Sequence, residues 1–173
     1  MKIVFAGGGT GGHFYPIIAI AERINRIVEE QKIVDCQMYY FSTSPFDKQA
    51  LYDTGVKFEM ISAGKWRRYF AIENFFDLFK TFVGIGIALA KLFTIYPDVV
   101  VSKGGYASFP TVFAARILRI PLFIHESDTH PGKVNVWSKR FAKRIALSYE
   151  SAATYFTKNK TVWTGHPVRE ELM

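Results

Sequence analysis

Lys2-Ile3-Val4-Phe5-Ala6 runs directly into Gly7-Gly8-Gly9-Thr10-Gly11-Gly12-His13, a short apolar run followed by five glycines in six positions. Beyond Phe14-Tyr15, Pro16–Glu30 places Ile17, Ile18, Ile20, Ala21, Ile24, Ile27 and Val28 at helical spacing, with Pro16 suited to a first turn. A strand, a glycine turn and a helix in succession form an anion site. Glycine lets the backbone approach a ligand closely, and the helix start offers unpaired N–H groups and a positive dipole end. Gly7, Gly9 and Gly12 satisfy G-x-G-x-x-G, but a dinucleotide site wants an acid at the end of the second strand, where Phe41-Ser42-Thr43-Ser44 stands. A Walker A loop fails as well, because Gly12 is followed by His13-Phe14 and not by Lys-Ser/Thr.

Working outward, short apolar runs alternate with helical patterns along the whole chain. Strands are predicted at Lys2–Ala6, Cys36–Ser42, Lys57–Ser62, Asp98–Ser102, Pro121–His125, Arg144–Ser148 and Lys160–Thr164. Helices are predicted at Pro16–Glu30, Pro45–Thr54, Glu73–Tyr96 with a break near Gly84-Ile85-Gly86, Phe109–Leu118, Lys133–Ala142 and Ser151–Phe156. This alternation predicts an α/β fold, a parallel sheet flanked by helices on both faces. In such sheets ligands bind beyond the carboxyl ends of the strands. After the fourth strand comes Lys103-Gly104-Gly105-Tyr106-Ala107-Ser108, a second glycine turn before a helix, now with a lysine. Two such loops at one sheet edge suit two phosphates or one pyrophosphate. After the fifth strand, His125-Glu126-Ser127-Asp128-Thr129-His130 gathers two acids and two histidines, candidates for acid–base work or hydroxyl binding. A metal reading would need His13, His125 and His130 to converge with a carboxylate, and no metal or cofactor is expected.

The chain has 173 residues, a net charge of +7, 49% hydrophobic residues and one cysteine, Cys36. The length fits one domain, the composition excludes disorder, and the lone cysteine excludes an internal disulfide framework and a cysteine-based zinc site. The basic excess lies entirely in residues 65–173, net +8, against net −1 in residues 1–64. A basic half points to an anionic partner. No nucleic-acid-binding motif accompanies it, so a nucleic-acid partner is not expected.

The helix after residue 73 is apolar almost all round. Glu73, Asp77, Lys80, Gly84 and Lys91 share one stripe, and nearly everything else is hydrophobic. Such a helix is either sandwiched or leaves apolar surface exposed. Lys65-Trp66-Arg67-Arg68-Tyr69-Phe70 before it combines interface-seeking aromatics with cations. Together they predict a peripheral membrane patch that includes Trp66, Arg67, Arg68, Phe75, Phe79 and Phe82. Only ten residues separate Lys80 from Lys91, which argues against a spanning helix. No signal peptide is visible, and a cytoplasmic location is expected.

Taken together, Gly8-Gly9-Thr10-Gly11-Gly12-His13 with Pro16, Gly104-Gly105-Tyr106-Ala107-Ser108 with Pro110, His125-Glu126, and Thr164-Gly165-His166-Pro167-Val168-Arg169 resemble the N-terminal domain of the MurG family, glycosyltransferase family 28. The resemblance covers essentially the whole chain. It implies the Rossmann-like N-terminal half of a GT-B enzyme, with residues 1–164 as acceptor-binding domain and 165–173 as the start of an interdomain linker. It further implies inverting, metal-independent transfer of N-acetylglucosamine from UDP-GlcNAc to an undecaprenyl-pyrophosphate-linked acceptor (lipid I to lipid II) at the cytoplasmic face of an anionic membrane. His13 is then the candidate general base. Thr10, Gly11, Gly12, Lys103, Gly104, Gly105, Tyr106, Ser108, His125, Glu126, Asp128 and Arg169 are candidate substrate-binding residues. The family's third loop typically reads His-Glu-Gln-Asn, where this chain has Ser127-Asp128, and its Gly-Asn-Pro-Val-Arg is Gly165-His166-Pro167-Val168-Arg169 here. Because the family's donor domain lies beyond the sequence, the chain alone is expected to be inactive. The alternatives are a membrane-bound subunit of a split transferase for another polyprenyl-linked sugar, or a non-catalytic module that binds lipid-linked phosphate.

Overall fold

The computed structural model describes residues 1–65 and 73–169. Trp66, Arg67 and Arg68, named above for the membrane patch, lie outside the described residues. The strands are β1 (Lys2–Ala6), β2 (Gln37–Ser42), β3 (Val56–Met60), β4 (Val99–Ser102), β5 (Leu122–Glu126), β6 (Arg144–Leu147) and β7 (Thr161–Trp163). The helices are α1 (Gly11–Glu30), α2 (Lys48–Asp53), α3 (Glu73–Ile95), α4 (Phe109–Ile117) and α5 (Lys133–Ser138). All seven strands pair in parallel in the order β3-β2-β1-β4-β5-β6-β7. The order reverses at β1, which lies between β2 and β4, so the crevice beyond β1 and β4 is the switch point of the sheet.

Side chains alternate across the strands and build two cores. Ile3, Phe5, Met38 and Tyr40 meet Phe14, Ile17, Ile18 and Ala21 of α1 and Leu51 of α2 on one face. Val4, Phe41, Val100, Leu122, Ile124 and Ile145 meet Ala88 and Leu92 of α3 and Val112, Ala114 and Ala115 of α4 on the other. Beyond α1, the first face carries an apolar recess of about 460 Å³ whose lining includes Val99, Val101, Phe123 and His125.

Three sequence expectations change here. Helix α1 begins at Gly11, five residues before Pro16, so His13 sits in its first turn and Pro16 in its second. Pro16, the sixth helical residue, has no N–H to give to the Gly12 carbonyl, so the helix carries one missing bond at that point. Strand β5 runs one residue further, to Glu126. Helix α3 passes through Gly84 unbroken. A Cβ on Gly84 would collide with the Ser62 carbonyl, so the glycine serves close approach of the post-β3 segment and not a kink.

That packing inverts α3. Asp77, Gly84, Ala88 and Leu92 face inward, while Phe75, Phe79 and Phe82 are 74%, 68% and 64% exposed. Lys91 pairs with Glu59 of β3, and the Gly64 N–H donates to Thr81 Oγ1 at 3.1 Å. By length and composition α3 is long enough and apolar enough to cross a membrane, contrary to the count between its lysines. Those contacts and the α4 packing hold it to the domain.

Candidate active site

Because β1, β4 and β5 are neighbours, their carboxyl-end loops lie side by side. The Lys103 N–H donates to the Ala6 carbonyl at 2.8 Å and carries the β4–β1 ladder one step past the strand. The first two loops then touch through backbone. Gly105 has φ +80°, and a Cβ there would lie 2.9 Å from the Gly8 carbonyl and 3.5 Å from His13 Nε2. Gly9 has φ +90°, and its Cβ would strike the Tyr106 ring at 2.6 Å. Both positions need glycine for backbone conformation and for space.

Thr10 is the N-cap of α1, yet its hydroxyl makes no cap bond. It meets His13 Nδ1 at 2.8 Å instead. The N–H groups of Gly11 and Gly12 therefore open the helix without a carbonyl one turn back, which suits an oxyanion. If Nδ1 carries the proton and donates it to Thr10, Nε2 is the acceptor, turned toward Gly105. Burial, then the Lys103 ammonium, lowers the His13 pKa from its usual value, against weaker upward pulls from Asp128 and Glu126. The ring is thus neutral at pH 7, the state a general base needs.

Lys103 is 2% exposed, with Nζ donating to Ser127 Oγ. Burial drags its pKa down to about 8, partly countered by Glu126 and Asp128. Its ammonium thus sits beneath the loops and joins the second to the third. Glu126 is buried as well. Its carboxylate accepts from Asp128 N–H at 3.0 Å, Gly132 N–H at 3.2 Å and Asn135 Nδ2 at 3.0 Å, all within the β5–α5 loop and α5. Asn135 accepts in turn from Ser102 Oγ at 3.3 Å, and that oxygen accepts from Gly104 N–H at 3.2 Å. One buried polar chain thus fixes the second and third loops together. Ser108 Oγ donates to the Gly105 carbonyl at 2.8 Å and steadies the turn.

The strand alternation separates two residues that the sequence grouped. Glu126 faces α5, so His125 points to the opposite face, into the apolar recess. There it is 5% exposed and neither ring nitrogen has a hydrogen-bond partner of good geometry. Burial first, then Lys103 and His166, pushes its pKa down to about 3. His125 therefore does not converge with His13 and His130. Among the described residues no group of three or more His, Cys, Asp or Glu is placed to hold a metal ion.

Asp128 lines an open cleft of about 800 Å³ between the start of α1 and the third loop, together with Gly11, Gly12, Tyr15, Tyr149 and His166. The Arg169 guanidinium stacks over Tyr15 at 4.5 Å. Sequence reasoning singled out neither Tyr15, Tyr149 nor Asn135. The strand-end rule would have reached Tyr149, which follows β6 at the same sheet edge. Nothing local marks Asn135, whose role arises only from folding.

A parallel sheet with glycine loops meeting at its switch point, and a neutral histidine on the following helix, is the N-terminal half of a GT-B glycosyltransferase fold. Residues 3–147 match the glycosyltransferase family 28 N-terminal domain, and the chain belongs to that family. It is 38% identical over 172 residues to the UDP-N-acetylglucosamine–N-acetylmuramyl-(pentapeptide) pyrophosphoryl-undecaprenol N-acetylglucosamine transferase 2 of Bacillus cereus, covering 99% of this chain and 47% of the relative. The transferase of that name from Treponema pallidum is also 38% identical, over 98% of this chain and 44% of its own. The crystal structure of MurG from Acinetobacter baumannii superposes with a TM-score of 0.73 at 26% identity, over 98% of this chain and 46% of that one. The chain spans about half the length of the curated relatives it matches.

Proposed function

We propose that this chain is the acceptor-binding half of an inverting transferase that moves N-acetylglucosamine from UDP-GlcNAc to a polyprenyl-pyrophosphate-linked sugar. The observation that carries the reading is the placement of His13, with Nδ1 held by Thr10 and Nε2 turned toward Gly105 between two touching glycine loops. The acceptor's pyrophosphate lies on the N–H groups of Gly11 and Gly12 and of Gly105 and Tyr106, with the Lys103 charge beneath. His13 Nε2 takes the proton of the acceptor hydroxyl as its oxygen bonds to the anomeric carbon. The bond from that carbon to the donor phosphate breaks, UDP leaves with the electron pair, and the configuration inverts. Glu126 and Ser108 act as positioning residues, Thr10 sets the base, and Asp128, Tyr106 and Arg169 border the cleft. His125 acts on the fold behind the loops.

Residues 1–164 form the acceptor domain, and 165 onward lead toward a donor-binding domain, which supplies most of the UDP-GlcNAc site. The exposed Phe75, Phe79 and Phe82, within the half of the chain that carries net +8, seat the domain peripherally on the anionic cytoplasmic leaflet.

The test combines the chain with a family donor-binding half, UDP-GlcNAc and a polyprenyl-pyrophosphoryl-sugar acceptor. Transfer is expected, with His13→Ala lowering kcat by at least about a hundredfold while acceptor binding is retained. Undiminished transfer by His13→Ala would remove the base assignment.

A further inference from the structure

An apolar cavity of about 290 Å³ lies beside the site described above, which does not use it. Lys65, Leu78, Thr81, Tyr106, Phe109 and Val134 line it. It opens where the glycine loops end and the exposed face of α3 begins. Tyr106 divides the two regions. One edge of its ring abuts Gly9 in the first loop, and the Lys65 ammonium stands 5.3 Å over the ring's face. On the far side the lining is almost wholly hydrocarbon. Thr81 and Asp77, the polar side chains on that side among the described residues, are already engaged. Thr81 Oγ1 donates to the Asp77 carbonyl at 2.8 Å and accepts from the Gly64 N–H, and the Asp77 carboxylate pairs with Lys80 at 3.6 Å. Such an interior suits hydrocarbon better than a sugar or a peptide. Leu78 stands one helical turn from both Phe75 and Phe82, so the cavity is continuous with the exposed aromatic stripe.

A cation at the mouth, phosphate-binding loops on one side and hydrocarbon on the other describe a site for an amphiphile whose anionic head is bonded directly to an apolar chain. We infer that the cavity between α3, α5 and the Tyr106 turn receives the first isoprene units of a polyprenyl pyrophosphate. The inference rests on the pyrophosphate-binding reading above and adds the substrate's tail to it. An apolar cavity of about 150 Å³ holds a six-carbon ring, so this one has room for roughly two five-carbon units. The chain's remainder passes over Leu78 toward the aromatic stripe and the bilayer. The arrangement makes the prenyl group adjoining the phosphate a recognised part of the acceptor and not merely its anchor.

Calorimetric titration of the 173-residue chain with farnesyl pyrophosphate and with inorganic pyrophosphate tests this. The farnesyl compound is expected to bind at least about tenfold tighter. Val134→Trp, which fills the cavity from α5, and Leu78→Gln, which makes its mouth polar, are each expected to erase that advantage and leave inorganic pyrophosphate binding unchanged. Equal affinity for the two probes in the unmodified chain, or an advantage that survives both substitutions, overturns the tail site alone. If neither probe binds, the pyrophosphate reading falls and the tail site falls with it.

Discussion

Lys103, His125 and Glu126 are buried within a few residues of the carboxyl ends of β4 and β5, and burial has a different consequence for each. Glu126 is matched by three N–H donors that surround its carboxylate. Lys103 has one hydroxyl and two nearby carboxylates, and its pKa falls to about 8. His125 has no hydrogen-bond partner of good geometry, and its pKa falls to about 3. The last shift is linked to stability. The folded pKa lies below the unfolded value near 6.5, so between the two the unfolded chain binds a proton that the fold refuses. His125 therefore costs nothing above about pH 6.5 and destabilises the fold progressively as pH falls toward about 3. The slope approaches about 1.4 kcal/mol per pH unit. Urea midpoints measured from pH 7 to pH 4 should fall more steeply for the unmodified chain than for His125→Gln. Parallel curves would contradict the burial of an unprotonated imidazole.

At the scale of elements, the strand and helix order was legible because each element carries its own period and its own stop. Val4, Phe5 and the glycines that follow specify β1 and its turn, and Gly55 ends α2. Boundaries were less legible where two signals compete. Pro16 reads as a first-turn residue, yet the glycines before it already wind into α1, which moves His13 from a loop to a helix. Glu126 reads as loop because it is charged, yet it completes β5 because the donors that satisfy it come from α5 and the loop beyond. Gly84 reads as a break, although its partner is the Ser62 backbone, more than twenty residues away in sequence. The inward stripe of α3 was likewise hidden, because charges on a helix ordinarily mark the solvent face. Here Lys91 finds Glu59 and Asp77 finds Lys80, so the aromatics are left outside. Phe79→Ser with Phe82→Ser should therefore leave thermal unfolding unchanged and lower binding to anionic vesicles by at least about tenfold, since burying each such ring contributes about 1.5–3 kcal/mol. Vesicle binding unaffected by the pair, or a large loss of Tm, would show that these rings serve the fold.

For the molecule as a whole, the parallel topology does the most to assemble the site. Strand β1 is far from β4 in sequence but pairs with it, β4 pairs in turn with β5, and their register brings the loops after Ala6, Ser102 and Glu126 to one edge. The first two loops were readable one by one. Their backbone contact, and the buried Ser102–Asn135–Glu126 chain that braces the second against the third, came only with the fold. The basic half of the sequence contains both the second glycine loop and the exposed face of α3, the regions proposed to meet phosphate and membrane. The central claim is that the touching glycine loops at the switch point bind pyrophosphate. Amide ¹⁵N–¹H shifts followed during titration of the chain with inorganic pyrophosphate test it most directly. The predicted result is a single saturable transition in which the signals of Gly11, Gly12 and residues 104–108 move together. No shift at these amides, or saturable shifts confined to residues elsewhere on the sheet, would contradict it.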